Sequence, residues 1–391
     1  MMKIVLDATS IRSRPSGIGI YIQNLLAGMI EILNQEHGCL FDLNILYKSK
    51  LLWHTLKDRS TPSKSSAIAL TVKGFYYLFP SEFSLQVFRQ SKLIKALFET
   101  LLGKPDIFHG LDYLNYPLNH SYNILTIHDL SFIYYPQYAP DRVLKSYQKR
   151  LELCLQWTDL IITVSESTKQ DIIKFFHIDQ QKIWVTPLAS RYNFNSLPGL
   201  NRTAHSPHND SSAFPYLLFV STLEPRKNIE TLIKAFEILK QQYDIPHHLV
   251  LIGKKGWKYQ TILETIESSP VRHYIHHLNY LSDRQLMGFY QRATAFLYPS
   301  YYEGFGLPVL EAMTFGVPVI TSNQSSLPEV VGNAALLVDP TDLEGLVGAT
   351  RSVIENPELH HYLSQAGQER SLCFSWQKTA LKTLEAYRSL I

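Results

Sequence analysis

The densest chemistry in the chain lies at 299–313, PSYYEGFGLPVLEAM, where Glu303 and Glu311 stand eight positions apart around Gly304 and Gly306. A strand pattern, ATAFLYP (293–299), runs into this stretch, and a helical pattern begins near Leu307 and continues through Leu310, Ala312 and Met313. The glycines therefore fall in the turn into a helix, where unpaired backbone N–H groups and the helix dipole attract phosphate. On a continuous helix eight residues would separate the carboxylates by about 12 Å. A loop curling over the helix start can instead put one on each side of a bound diphosphate. Carboxylates accept well from sugar hydroxyls, so the spacing suits a nucleotide sugar. It is equally met by a surface charge at Glu303 and a solvated helix residue at Glu311.

Three further strand ends carry polar groups. In STLEPRKNIETL (221–232), Arg226 and Lys227 follow the strand YLLFV, just before a helix that Asn228 could cap. Cations are disfavoured near a helix N-terminus, and an anion between them, such as a leaving diphosphate, would remove the conflict; electrostatic stabilisation of this kind is usually the largest catalytic term. In SRPSGIGIYIQNLL (13–26), Gly17 and Gly19 open a helix and allow close backbone approach by a ligand. Position 22 is Ile, so the third glycine of a dinucleotide fingerprint is missing. In ILTIHDLSF (124–132), His128 and Asp129 end another strand, where His128 could bond a sugar hydroxyl or contact an acceptor, or serve only in packing. The pairs His247–His248 and His276–His277 have no metal-like spacing with acids and read as surface or packing residues.

The elements that must position these groups alternate almost throughout. Strand patterns fall at 3–8, 41–48, 67–72, 106–110, 122–129, 159–165 and 182–188, then at 216–221, 248–253, 274–281, 293–299, 317–322 and 334–340. Many are continuously apolar, as parallel strands covered on both faces require. Between them lie helical stripes such as Ile229, Leu232, Ile233, Phe236 and Leu239. This alternation predicts an α/β protein with parallel sheets and crossover helices. The stretch SLPGLNRTAHSPHNDSSAFP (196–215) lacks apolar periodicity and reads as a linker. The expected domains are 1–195 and 215–374, joined by the linker 196–214: two doubly wound domains facing across a cleft.

Bulk properties exclude several classes. At 391 residues the chain exceeds one compact core, and 45% hydrophobic with 18% charged residues fits a globular protein. A net charge of +3 does not imply nucleic-acid binding. Cys39, Cys154 and Cys373 offer neither a disulfide framework nor zinc spacing, which points to a reducing compartment. The start MMKIVLDATS reads as a first strand rather than a signal peptide, and no stretch approaches the roughly 18 uninterrupted apolar residues of a spanning helix. A cytoplasmic location is expected. From Lys48 to Lys104 ten basic residues face three acidic ones, a local +7. Within it, VKGFYYLFPSEFSLQVFRQSKLIKALFETLLGK (72–104) mixes aromatics with Lys73, Arg89, Lys92, Lys95 and Lys104. It could lie on an anionic membrane and meet a lipid-linked acceptor. Alternatively, Phe88, Leu93, Leu97 and Leu101 form the buried stripe of a helix with the basic residues exposed.

The set SGIGIY, TIHDLSF, VSESTKQDI, STLEPRKNIETLIKAF and PSYYEGFGLPVLEAMTFGVPVITSNQSSLPEVVGNAALLVDP resembles the family 4 (group 1) retaining glycosyltransferases of GT-B fold over nearly the whole chain. The LEPRKN and ESTKQDI forms most resemble bacterial mannosyltransferases of polysaccharide assembly that use GDP-mannose. The resemblance implies that Glu303 contacts the donor sugar's hydroxyls, Glu311 the ribose diol, and Arg226 and Lys227 the diphosphate. It further implies a phosphate cradle from the backbone at Gly306 and Leu307, an approach by Gly17, His128 near donor sugar and acceptor, and a donor contact at Thr222. Relatives often carry Gly-Arg after the strand that ends here in Ser221-Thr222; that arginine is absent, which leaves the cationic work to Arg226 and Lys227. Retention of configuration, no cofactor beyond the nucleotide-sugar substrate, no metal, no covalent nucleophile and a last helix over 375–391 that crosses back onto the N-terminal domain are implied as well. The competing classes are a nucleotide-sugar epimerase, which needs no acceptor, and a non-catalytic nucleotide-sugar-binding partner protein.

Overall fold

The computed structural model describes residues 2–11, 17–35, 41–46, 85, 88–192 and 214–391. The expected strand 67–72, Cys39, the linker 196–214 apart from Phe214, and most of the basic stretch before Leu85 lie outside these residues. The chain divides into two compact units, one of Met1–Tyr134, Asp141–Leu188 and Ser375–Ile391, the other of Tyr135–Pro140 and Ala189–Phe374.

The first unit holds a six-stranded, all-parallel sheet of β1 (Met2–Asp7), β2 (Phe41–Leu46), β3 (Ile107–Gly110), β4 (Tyr122–Ile127), β5 (Leu160–Thr163) and β6 (Ile183–Val185), in the order β2-β1-β3-β4-β5-β6. All four residues of β3 and of β5 are buried, which is why these strands read as unbroken apolar runs. Within this unit the C-terminal helix Trp376–Arg388 is tied in by Tyr387, whose hydroxyl lies 2.6 Å from His109 Nδ1, while His109 Nε2 meets Thr126 Oγ1 at 2.7 Å. Burial pushes the His109 imidazole down to about 3, so this network stays neutral.

The second unit repeats the plan with β7 (Tyr216–Val220), β8 (His248–Ile252), β9 (Ile275–Leu278), β10 (Ala295–Tyr298), β11 (Val319–Ser322) and β12 (Leu336–Val338), ordered β12-β11-β10-β7-β8-β9 and again all parallel. From β7 the chain builds outward through β8 to β9, then returns to the other side of β7 with β10. The order reverses between β7 and β10, and open α/β sheets bind ligands beyond the strand ends at such a switch point. The sequence segments that leave those two strands carry Arg226–Lys227 and Glu303–Gly306.

Three details depart from expectation. Ala189–Tyr192 belongs to the second unit rather than to a domain ending at 195, because Arg191 pairs with Glu311 and Asp283 and the Tyr192 ring packs on Tyr290 and Phe315. Tyr135–Pro140 also joins the second unit, through the rings of Tyr135 and Tyr138 against Tyr301. Asn228 does begin the helix Ile229–Tyr243, but in a left-handed conformation and without a side-chain cap; its amide donates to Pro340 O at 2.6 Å instead.

Candidate active site

Glu303 is the centre of the second unit's site. Lys227 Nζ donates to its Oε1 at 2.5 Å and Arg226 Nη1 to its Oε2 at 3.2 Å, while Ser300 Oγ donates to Oε1 at 2.6 Å. Its backbone is held from the other side: the Glu303 N–H donates to Ser325 Oγ at 2.8 Å and Ser326 Oγ donates to the Glu303 carbonyl at 2.8 Å. Burial by itself would raise this carboxyl, but the Lys227 ammonium and Arg226 guanidinium outweigh it and hold the group at about 2. Lys227 is only 5% exposed and also donates to Tyr298 OH at 3.1 Å. Burial first, then the neighbouring Arg226, pull its ammonium below the ordinary lysine value despite Glu303 and Glu224. Arg226 also pairs with Glu224 at 2.8 Å and donates to the Tyr302 carbonyl. The cluster Glu224, Arg226, Lys227 and Glu303 therefore balances in charge, and the anion expected between the two cations is the protein's own Glu303.

The helix Leu307–Thr314 starts beside this cluster in sequence, with Gly306 as its N-cap at φ 97°. A side chain there would be strained by that backbone, and an added Cβ would lie 2.7 Å from Leu327 Cδ2. Pro308 at the second helical position has no N–H, which concentrates the backbone donors of the helix start on Gly306 and Leu307.

Glu311 is not the solvated residue that its spacing allows. It is 1% exposed, and its oxygens accept from Arg191 Nε at 2.8 Å, Arg191 Nη2 at 3.3 Å and Tyr290 OH at 3.0 Å. The two carboxylates are paired separately, Glu303 with Lys227 and Arg226 and Glu311 with Arg191. Thr222 lies half-buried in the turn after β7, against which Gly253 packs so closely that a Cβ there would lie 1.7 Å from Ser221 O.

Gly17 and His128 lie in the first unit. Gly17 is exposed at the first position of the helix Gly17–Gln35, and a Cβ added to it would meet nothing within 4 Å. One turn on, the Tyr21 ring stands edge-on to the His128 ring at 4.9 Å. His128 Nε2 donates to Leu111 O at 2.9 Å. Burial lowers its imidazole more than Asp112 and Asp129 raise it, so the neutral ring offers Nδ1 as an acceptor. Tyr113, at φ 51°, is pinned by its hydroxyl to both the N–H and the carbonyl of Asp129, at 2.7 and 3.0 Å. Such a backbone outlier beside a candidate site residue is where stored strain concentrates.

Arg191, Ser300, Tyr290 and the Ser325–Ser326 pair were not among the residues singled out from the sequence. The serines lie inside motifs already quoted, so a donor count around Glu303 could have found them; Arg191 has no local signal. Among the described residues no group of three or more His, Cys, Asp or Glu could hold a metal ion.

Two parallel six-stranded units of this order, with a charged cluster at a switch point, define the GT-B architecture of glycosyltransferases. The comparisons agree. Family models match residues 201–370, as "Glycosyl transferases group 1", and residues 52–189, as "Glycosyltransferase Family 4". The chain is 30% identical over 401 aligned residues to the O-antigen chain mannosyltransferase B of Escherichia coli, covering 100% of each. It is 28% identical over 237 residues to the serotype-specific mannosyltransferase WbdA of Escherichia coli, spanning 60% of this chain and 29% of that protein. The solved sucrose-phosphate synthase of Thermosynechococcus elongatus superposes with a TM-score of 0.70 at 22% identity, over 100% of this chain and 99% of that one, a likeness of fold alone. The chain belongs to the group 1, family 4 glycosyltransferases and is a glycosyltransferase enzyme.

Proposed function

We propose that this glycosyltransferase moves a mannosyl group, with retention, from a nucleotide-diphosphate sugar to a hydroxyl of a glycan or lipid-linked acceptor in polysaccharide assembly, with GDP-mannose the favoured donor. The observation that carries the donor part is the Glu303–Lys227–Arg226 cluster at the switch point, next in sequence to the Gly306-capped helix start. The mannosyl part is supported by the full-length likeness to an O-antigen chain mannosyltransferase.

The diphosphate is received by the Gly306 and Leu307 backbone and by Lys227 and Arg226, with Thr222 in the adjoining turn. Glu303, kept ionised by the same two cations, accepts from the sugar hydroxyls. Glu311 accepts from the ribose diol, sharing its oxygens with Arg191. Gly17 admits the phosphates to close backbone contact, and His128 Nδ1 accepts from a sugar or acceptor hydroxyl. The acceptor oxygen attacks from the face that the diphosphate leaves, and a leaving-group oxygen takes its proton. The carbon–oxygen bond to the diphosphate breaks as the new glycosidic bond forms, with no metal and no covalent enzyme intermediate.

The test is thermal-shift titration against GDP-, UDP-, ADP- and dTDP-sugars, since a ligand of the folded state alone raises stability by RT ln(1 + [L]/Kd). GDP-mannose should give the largest shift, and the product formed in EDTA should carry the donor's anomeric configuration by NMR. No shift with any nucleotide sugar would end this reading. An altered nucleotide sugar formed without acceptor would favour an epimerase.

Contact with an anionic membrane belongs to the same proposal. Leu93 and Leu97 are 80% and 55% exposed on the helix Lys92–Leu101, rather than forming the buried stripe that their spacing also allowed; Phe88 alone of the four is fully buried. Exposed Lys92 lies beside them. Among the described residues no helix is long and apolar enough to cross a membrane.

A further inference from the structure

Two residues before Glu303, the second unit carries a group of tyrosines that the donor chemistry does not use. The rings of Tyr135, Tyr138 and Tyr301 are half-buried, with centroids 5.6, 6.0 and 6.1 Å apart and planes within 2°, 29° and 27° of one another. Three near-parallel rings with every pair at this distance cannot form a column, whose ends would be about twice as far apart as its neighbours. They are displaced sideways and overlap at their edges, which makes a stepped aromatic surface.

That face is built onto the charged cluster. The Tyr301 N–H donates to Arg226 O at 2.9 Å, and the Tyr302 carbonyl accepts from the Arg226 guanidinium. Tyr135 OH donates to Tyr301 O at 3.4 Å, and Lys258 Nζ fastens the same segment through Gln137 O at 2.5 Å. Tyr135 and Tyr138 are thus held in place as fixed rings rather than left as loose loop residues. The face of a tyrosine ring with its phenolic edge matches a pyranose, which has an apolar C–H face and a rim of hydroxyls; tyrosine presents rigid amphipathic area at low entropic cost.

We propose that Tyr135, Tyr138 and Tyr301 form a stacking subsite for one sugar ring of a glycan acceptor, beside the position where the donor sugar meets Glu303. This rests on the glycan-acceptor reading above. An aromatic subsite beside the cluster predicts that acceptors longer than one sugar bind better than a monosaccharide.

The experiment uses the full chain and a series of mannose oligosaccharides of increasing length, with binding measured by calorimetry and donor binding followed separately by thermal shift. In the variant with Tyr135→Ala and Tyr138→Ala together, oligosaccharide affinity should fall about tenfold, while the nucleotide-sugar shift stays that of the wild type. The pair Tyr135→Phe and Tyr138→Phe keeps the rings and should keep most of the affinity. Unchanged oligosaccharide binding in the alanine variant, with the donor shift intact, overturns the subsite. So does an alanine variant that loses vesicle co-sedimentation but not oligosaccharide binding, which would make the face a lipid contact. Absence of any nucleotide-sugar shift in the wild type counts against the transferase reading alone, because oligosaccharide binding through these rings is read without donor.

Discussion

Lys227 and Glu303 form a contact of 2.5 Å in which both side chains are almost wholly buried. Removing two charges from water is costly unless geometry and further hydrogen bonds compensate. Here Ser300, Tyr298 and Arg226 supply those bonds. The pair therefore holds a carboxylate ionised at the switch point. Glu224 and Glu303 balance Arg226 and Lys227, so the diphosphate of the proposed donor would meet fixed donors rather than excess positive charge.

In the proposed mechanism each half of this pair acts on the transition state. Glu303→Ala and Lys227→Ala should each lower kcat by at least about a hundredfold, the usual effect of deleting one electrostatic stabiliser. Circular dichroism should show the fold retained. Wild-type turnover in either variant would show that this pair does not stabilise the transition state.

The depressed Glu303 carboxyl makes a pH-dependent contribution to stability. Its folded value of about 2 lies below the ordinary 4.5, so the contribution is fully present above about pH 4.5 and is lost as pH falls towards 2. Urea unfolding of the wild type and of Glu303→Gln should show a constant gap from pH 7 to pH 5. The gap should then close on acidification through that window. A gap that stays level down to the acid limit would mean the ion pair does not hold the carboxylate down.

Glu311 should be the more demanding carboxylate for folding. Glu311 is 1% exposed in the wild type, and Arg191→Ala would leave it only Tyr290 OH of its present side-chain donors. Leaving a buried charge without its partner costs about 3–5 kcal/mol. Replacing both residues, Arg191→Ala with Glu311→Gln, should recover much of that loss, giving a coupling of about 1–3 kcal/mol in a double-mutant cycle. If Arg191→Ala shifts stability by less than about 0.5 kcal/mol, the Arg191–Glu311 pair does not contribute to holding this part of the fold.

Much of this architecture was legible in the sequence, for a local reason. Strands such as Leu160–Thr163, buried throughout, must be continuously apolar, and the glycine turn before Leu307 must precede a helix. Arg226, Lys227 and Glu303 could be found because each lies in the short segment between a strand end and the next helix. Arg191 could not: it reaches Glu311 across 120 positions of sequence, and nothing in ASRYN distinguishes it from a surface arginine. The same holds for Tyr135 and Tyr138, whose partner Tyr301 lies more than 160 positions away. Asn228 shows the converse, a residue of the right type for a cap that tertiary contact with Pro340 diverts.

The exposed leucines of the helix Lys92–Leu101 predict a membrane preference that depends on charge. Co-sedimentation with anionic vesicles should exceed that with neutral ones and should weaken with salt, as screened surface attraction does. Leu93→Ser with Leu97→Ser should reduce binding to both vesicle types without changing the salt trend. Equal binding of the wild type to neutral and anionic vesicles would remove the basic residues from the account.

The two glycines assigned to the donor separate backbone geometry from ligand approach. Gly306→Ala places a side chain at φ 97° against Leu327, so it should cost about 1–3 kcal/mol of stability and shift the start of the helix Leu307–Thr314. Gly17→Ala meets open space at a helix start and should leave stability within about 0.5 kcal/mol of the wild type. If the phosphates approach that backbone as proposed, Gly17→Ala nonetheless raises the donor KM, because the new methyl occupies the volume that the ligand needs. The two measurements together, urea midpoint and donor KM, should therefore move in Gly306→Ala and split in Gly17→Ala. A Gly17→Ala enzyme with an unaltered donor KM would show that the first unit's glycine turn does not touch the nucleotide sugar.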